Sequence, residues 1–162
     1  MVNHRLLVSK VGYNRSYNRK LILFPGICNN SSGFGIELAR IALAAKHRVV
    51  ATSRNPAKTP ELVKEVEEAG GQWFTLDVAD PSPNVATDIV KQVLETYGRL
   101  DVSVNNAGTC LTGICEFITD AQAKEQFEVN FFGAHRLICA VLPTMRAQKS
   151  GTIGRRKAIC TR

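Results

Sequence analysis

Ser31-Ser32-Gly33-Phe34-Gly35 carries the clearest chemical signal in the chain. It lies between a short apolar run, Leu21 to Phe24, and a helical pattern from Ile36 to Lys46. Glycines at 33 and 35 let backbone approach a ligand with no Cβ in the way. The next helix would aim its unpaired N–H groups and positive dipole end at that turn, which suits phosphate. A bare Gly-x-Gly is equally a plain strand-to-helix turn. Other chemistry-bearing positions recur at element ends: Arg54, Asp77-Val78 and Asn105-Asn106-Ala107-Gly108. Asn130 and Gly133 interrupt a helical pattern, and breaks of this kind are where function is often stored. His135, just beyond them, reads as a packed or exposed helix residue rather than a catalyst. The five cysteines have no metal-ligand spacing and read as reduced thiols in a cytosolic core.

The elements that must position these residues follow from periodicity. Short apolar runs predict strands over Leu21–Phe24, Arg48–Ser53, Trp73–Leu76 and Leu100–Val104. Ile36, Ala39, Ala42, Leu43 and Ala45 predict a helix face of small residues. Thr59 and Pro60 open a second helix, with Leu62, Val63, Val66 and Ala69 as its stripe and Gly70 as its stop. Pro81 and Pro83 lead into a third, with Val85, Ile89, Val93 and Tyr97 facing inward and Gly98 at its end. A long helix starts at Thr119, whose capping box uses Gln122. Its core positions are read as Ala123, Phe127, Phe131, Ala134 and Ile138, with a kink or end near Pro143. Strands alternating with helices imply right-handed crossovers and a parallel sheet.

The length of 162 residues suits one domain. The formal net charge of +7 is uneven. Residues 1–20 and 146–162 are basic and free of acids, while the segment between them is mildly acidic. Segments 1–20 and 154–162 therefore read as solvated basic tails around a domain over 21–153. A nucleic-acid footprint needs basic residues on a folded face with aromatics to stack on bases; Tyr13 and Tyr17 are the only hints, so no nucleic-acid partner is expected. No apolar run approaches the ~20 residues of a membrane helix. A cytoplasmic location is expected, with the acid-free N-terminal composition leaving a mitochondrial one open.

With these motifs in order, the chain from about Lys20 to Ile153 resembles the front half of a classical short-chain dehydrogenase/reductase. Ser31 to Gly35 is similar to the end of that family's Thr-Gly-x-x-x-Gly-x-Gly turn. Asp77-Val78 matches its acid after the third strand, Asn105 to Gly108 its Asn-Asn-Ala-Gly, and Val129 to Gly133 the segment holding its catalytic Asn. The resemblance implies an α/β fold, a three-layer Rossmann-type doubly wound parallel sheet, truncated after about the fourth or fifth strand. It implies cofactor binding by Ser31, Ser32, Gly33, Phe34, Gly35, Arg54, Asp77, Val78, Asn105, Ala107 and Gly108. Asp77 would take the adenine amine, Asn105 would line the ribose, and Asn130 would hold a water in a proton relay. Arg54, with Ser53 where NAD-binding members place an acid, implies NADP(H); a solvated loop arginine is the other reading. The family reaction is hydride transfer between the nicotinamide dinucleotide and a small carbonyl or alcohol.

Two departures qualify the match. Cys28-Asn29 stands where the family turn has Thr-Gly. The family's catalytic Tyr-x-x-x-Lys is also missing: residues four on from Tyr13, Tyr17 and Tyr97 are Tyr17, Leu21 and Asp101. Of the family's catalytic residues, Asn130 alone is matched. The chain by itself is therefore expected to transfer no hydride, and a non-catalytic nucleotide-binding or heteromeric module is the alternative. Arg155, Arg156 and Lys157 are expected to bar a covered fifth strand, ending the sheet at Leu100–Val104. Phe131, Phe132, Ile138 and Val141 would then be only partly covered, favouring homo- or hetero-oligomers through the helix over 119–145.

Overall fold

The computed structural model describes residues 20–24 and 33–155. Five parallel strands form one sheet: β1 (Leu21–Phe24), β2 (Arg48–Ser53), β3 (Gln72–Thr75), β4 (Val102–Asn105) and β5 (Thr152–Arg155). Their order is β3-β2-β1-β4-β5, so the chain winds outward in both directions from the central β1. Helices α1 (Phe34–Ala44) and α2 (Pro60–Glu68) cover one face. The other face carries α3 (Val85–Tyr97) and α5 (Ala134–Ala147), while α4 (Asp120–Phe127) has no buried residue. This is the doubly wound, three-layer arrangement expected.

The sheet is covered on both sides, as a parallel sheet must be. Leu21, Leu23 and Val50 pack with Ile89, Val93, Leu137 and Val141 on one face. Ile22, Val49 and Ala51 pack with Ile36, Ala39 and Val66 on the other. Alternate residues of each strand thus supply two separate cores. Gly98 takes φ +72° at the end of α3, and Gly70 takes φ +86° just beyond α2, both left-handed positions where a Cβ is disfavoured. The Thr119 capping box forms as expected, with Gln122 on both sides of the exchange.

Three expectations for the C-terminal third are corrected. The sheet does not end at β4: β5 pairs with it from Val102↔Thr152 to Asn105↔Arg155. The strand's cation is not covered, because Arg155, the last described residue, is exposed. Arg156 and Lys157 lie outside the described residues, as does most of residues 1–20. The long helix is not one α-helix either. A π-helical segment, Glu128–Gly133, separates α4 from α5, and Asn130 and Gly133 both belong to it. Its altered turn rotates the inward face. Val129, Leu137, Val141 and Met145 are buried, whereas Phe127 and Phe131 are 61% and 49% exposed. Val141, expected to be half covered, is fully buried. Pro143 lies inside α5, which ends four residues later at Ala147.

The cysteines also depart from expectation. Cys115 and Cys139 are free thiols but exposed, outside the core. Cys110 is engaged in a disulfide. Among the described residues, no helix is long and apolar enough to cross a membrane.

Candidate functional site

In a parallel sheet every strand delivers its C-terminal end to the same edge, so the loops that follow the strands gather there. Here that edge collects Gly33 and the start of α1 after β1, Arg54 after β2, Asp77-Val78 after β3, and Asn106 to Gly108 after β4. β1 and β4 are neighbours whose connections leave in opposite directions. That junction is the crevice where open α/β sheets take ligands. Ser31, Ser32 and the Cys28-Asn29 loop lie outside the described residues.

Gly33 is the N-cap of α1, in extended conformation and with no side chain to cap the helix. The Ile36 N–H closes back on the Gly33 carbonyl at 3.1 Å. Gly35 is buried and Phe34 is exposed. Arg54 is exposed immediately after β2. Its neighbour Ser53 is buried, and the Ser53 hydroxyl accepts a 3.0 Å bond from Trp73 Nε1. Ser53 is thereby committed to the β2–β3 junction and Arg54 is the polar side chain presented outward.

At the end of β3, Asp77 Oδ1 accepts the Ala79 N–H at 2.9 Å. That bond fixes the carboxylate plane and leaves Oδ2 able to accept another donor. Val78 is buried. Just beyond, the hydroxyl and N–H of Ser82 hold the Asp80 carboxyl below the usual range.

Asn105 is the most informative residue of the edge. It is 4% exposed, and among the described residues neither its Oδ1 nor its Nδ2 has a hydrogen-bond partner. A buried amide left unpaired at both ends costs of the order of 1–3 kcal/mol per group. Such a group is explained most simply by a ligand or water that completes it. Asn105 therefore fits a dinucleotide in this crevice, as do the glycines and the uncapped helix.

Asn130 is differently placed. Its Oδ1 accepts the Thr109 N–H at 2.8 Å and its Nδ2 donates to the Thr109 carbonyl at 2.7 Å. The side chain thus ties the loop after β4 to the π turn. Its main-chain carbonyl accepts a 2.7 Å bond from Arg155, whose guanidinium also sits 6.0 Å from the Phe131 ring centre. His135 is exposed and stacked on Phe131, as a helix-surface residue.

The sequence did not single out Gln126 or Arg136. Gln126 Oε1 accepts the Leu111 N–H, and Arg136 reaches the Val78 carbonyl. The signal available was their position beside the Asn130–Gly133 break, since a π turn frees carbonyls and alters which residues face inward.

Comparison with known proteins agrees with this architecture. The sequence profile described as short chain dehydrogenase matches residues 27–154. Oxidoreductase claN of Passalora fulva is 44% identical over 128 residues, which is 78% of this chain and 57% of that protein. A short-chain dehydrogenase from Streptomyces avermitilis superposes with a TM-score of 0.73 at 34% identity, over 85% of this chain and 49% of that one. A metagenomic short-chain oxidoreductase solved in complex with NADP gives a TM-score of 0.74 at 26% identity, over 87% and 63%. The chain thus spans roughly half the length of the relatives it matches, and within that half the profile covers every described element from α1 to β5. On that match the chain belongs to the short-chain dehydrogenase family.

Proposed function

We propose that this chain is the NADP(H)-binding half of an oxidoreductase that moves hydride between the nicotinamide and a small carbonyl or alcohol. The single observation that carries the reading is Asn105, buried at the β1/β4 crevice with both amide atoms unpaired. The bound dinucleotide would supply the hydride acceptor or donor; the chain's residues do the holding. The uncapped start of α1 behind Gly33 and Gly35 suits the pyrophosphate. Asp77 is the acceptor for the adenine amine, Asn105 faces the ribose, and Val78, Ala107 and Gly108 wall the pocket; Ser31 and Ser32 belong to the same motif and lie outside the described residues. Arg54 pairs a 2′-phosphate where an acid would instead accept a 2′-hydroxyl. Asn130, with its side chain fastened to Thr109, is a rigid post beside the reacting end.

The 162 residues contain no Tyr followed four later by Lys. A positioned general acid is typically worth 10²–10⁴ in rate. The chain alone is therefore proposed to bind cofactor without turning it over.

Titration of the purified chain with NADPH and NADH tests the reading. NADPH should bind about tenfold more tightly, the equivalent of about 1.4 kcal/mol, and Arg54→Asp should reverse the order. Equal affinities would overturn the NADP(H) preference, and no binding of either would overturn the reading. Consumption of NADPH in the presence of carbonyl substrates would overturn the inactivity.

A second reading rests on Phe127, Phe131 and Phe132, which are 61%, 49% and 47% exposed along the helix between 119 and 145. Such a surface favours pairing with a second copy of the chain. Analytical ultracentrifugation at micromolar concentration should give a dimer or larger species, and a monomer would refute it.

A further inference from the structure

We infer that Arg136 is a positioning residue for recognition of the adenine amine, acting through one peptide plane. The inference rests on the dinucleotide reading of the site and adds a residue that the reading does not use. The peptide joining Val78 to Ala79 is held at both ends. Its carbonyl accepts a 2.8 Å bond from Arg136 Nη2, and its N–H donates the 2.9 Å bond to Asp77 Oδ1. Arg136 therefore fixes the plane that in turn fixes the Asp77 carboxylate. A donor that polarises the carbonyl also strengthens what the N–H at the other end gives away.

Arg136 is itself anchored. Its Nη1 pairs with Glu128 Oε1 at 2.5 Å, and the two side chains are only 25% and 30% exposed. Glu128 opens the π turn and Arg136 lies three residues beyond its end, in α5, so the pair brackets Gly133. Gly133 is what lets the turn come this close. A Cβ there would lie 2.3 Å from the Val78 carbonyl oxygen, closer than real Cβ contacts. The loop after β3 and the π turn are thus locked by a backbone contact and a guanidinium together. Without Arg136 the 78–79 peptide is free to turn, and the Asp77 carboxylate loses its fixed plane.

The test compares NADPH with its deamino analogue, in which hypoxanthine replaces adenine and the amine is a carbonyl. The unmodified chain should prefer NADPH by about tenfold, the scale of one hydrogen bond to a charged group. Arg136→Met should bring that preference close to unity. A purely structural loss would weaken both ligands alike and leave their ratio unchanged, which would overturn the inference. Failure of the unmodified chain to bind NADPH would instead remove the dinucleotide reading. NADPH binding without discrimination would remove the role of Asp77, and the inference with it. If Arg136→Met gives no cooperative melt, Glu128→Gln provides the second arm. It keeps the donor but loosens its anchor, so the preference should fall several-fold, and an unchanged ratio would overturn the proposal.

Discussion

The two ends of the parallel sheet treat their polar groups in opposite ways. At the N-terminal end, where the strands begin, side chains and backbone close on one another. Asp101 Oδ2 accepts the Leu21 N–H at 2.8 Å, and Arg99 binds the same carboxylate. Gln148 both accepts from Leu100 N–H at 3.0 Å and donates to its carbonyl at 2.9 Å. The carbonyl of Asp101 takes the Thr152 N–H at 2.9 Å, entering β5. Toward the C-terminal end the pattern reverses. Among the described residues neither amide atom of Asn105, at the end of β4, has a partner, nor has the hydroxyl of Ser103 inside the same strand, while Gln72 Oε1, at the start of β3, is the exception at the other end. Buried polar groups are nearly always paired, so the difference sets an end that maintains the fold against the end where a ligand is proposed.

The contrast breaks most visibly at Asp101. Asp101→Ala should lower stability by about 3 kcal/mol, since it removes charge-assisted bonds and strands the Leu21 N–H. A chemical denaturation midpoint measures it, and a loss below about 1 kcal/mol would mean the N-terminal end is not the fastened one. The same carboxylate predicts a pH dependence. Burial raises its pKa, but the bonds from Arg99 and the Leu21 N–H outweigh burial and hold it below the usual range. A depressed folded pKa gives stability that is present above the unfolded value of about 3.9 and is lost as pH falls through the folded one. Melts recorded downward from pH 5 should show this acid limb, and Asp101→Ala should flatten it.

Gln148→Ala should cost about 1–2 kcal/mol, the worth of two neutral bonds. The opposite end should respond with the opposite sign. Ser103→Ala and Asn105→Leu each remove an unpaired group, so thermal melts of the ligand-free chain should be unchanged or rise, by no more than about 1 kcal/mol. Asn105→Leu should nonetheless weaken NADPH binding. A clear drop in melting temperature for either variant would show that the C-terminal end is paired in solution, and would erase the contrast.

The first four strands, α1 to α3 and the Thr119 cap were legible because each is written in local pattern and terminated by its own Gly, Pro or capping residue. β3 and β4 were displaced by one or two residues, as runs of four or five residues fix a strand better than its ends. What was not legible is concentrated after Thr119. A π turn adds a residue to the helical count, which turns the following face by about 100°. Phe127 and Phe131 follow the period of an uninterrupted helix, whereas Val129, Leu137 and Val141 follow the interrupted one. Asn130 and Gly133 marked the place, but the close contact of Gly133 with the Val78 backbone joins residues far apart in sequence. β5 was missed because its cations were read as a single block, whereas the first of them, Arg155, belongs to the strand at an exposed position. At the site, motif order was enough to nominate Asp77 and Asn105. No local pattern could show that Arg136 completes one and that the other is left unpaired.

The central position of β1 also bears on how the chain comes together as it is made. Its β2 side closes contacts 27 residues apart, but its β4 side waits for partners 80 residues along. At about 5–20 residues per second of synthesis, that interval lasts roughly 4–16 s. Throughout it β1 has one row of N–H and C=O groups without a neighbouring strand, beside apolar side chains with no α3 or α5 over them. A nascent chain in that state is a template for strand pairing with another molecule. The sheet's winding order thus gives the growing polypeptide a period of vulnerability on the ribosome, which ends when β4 docks.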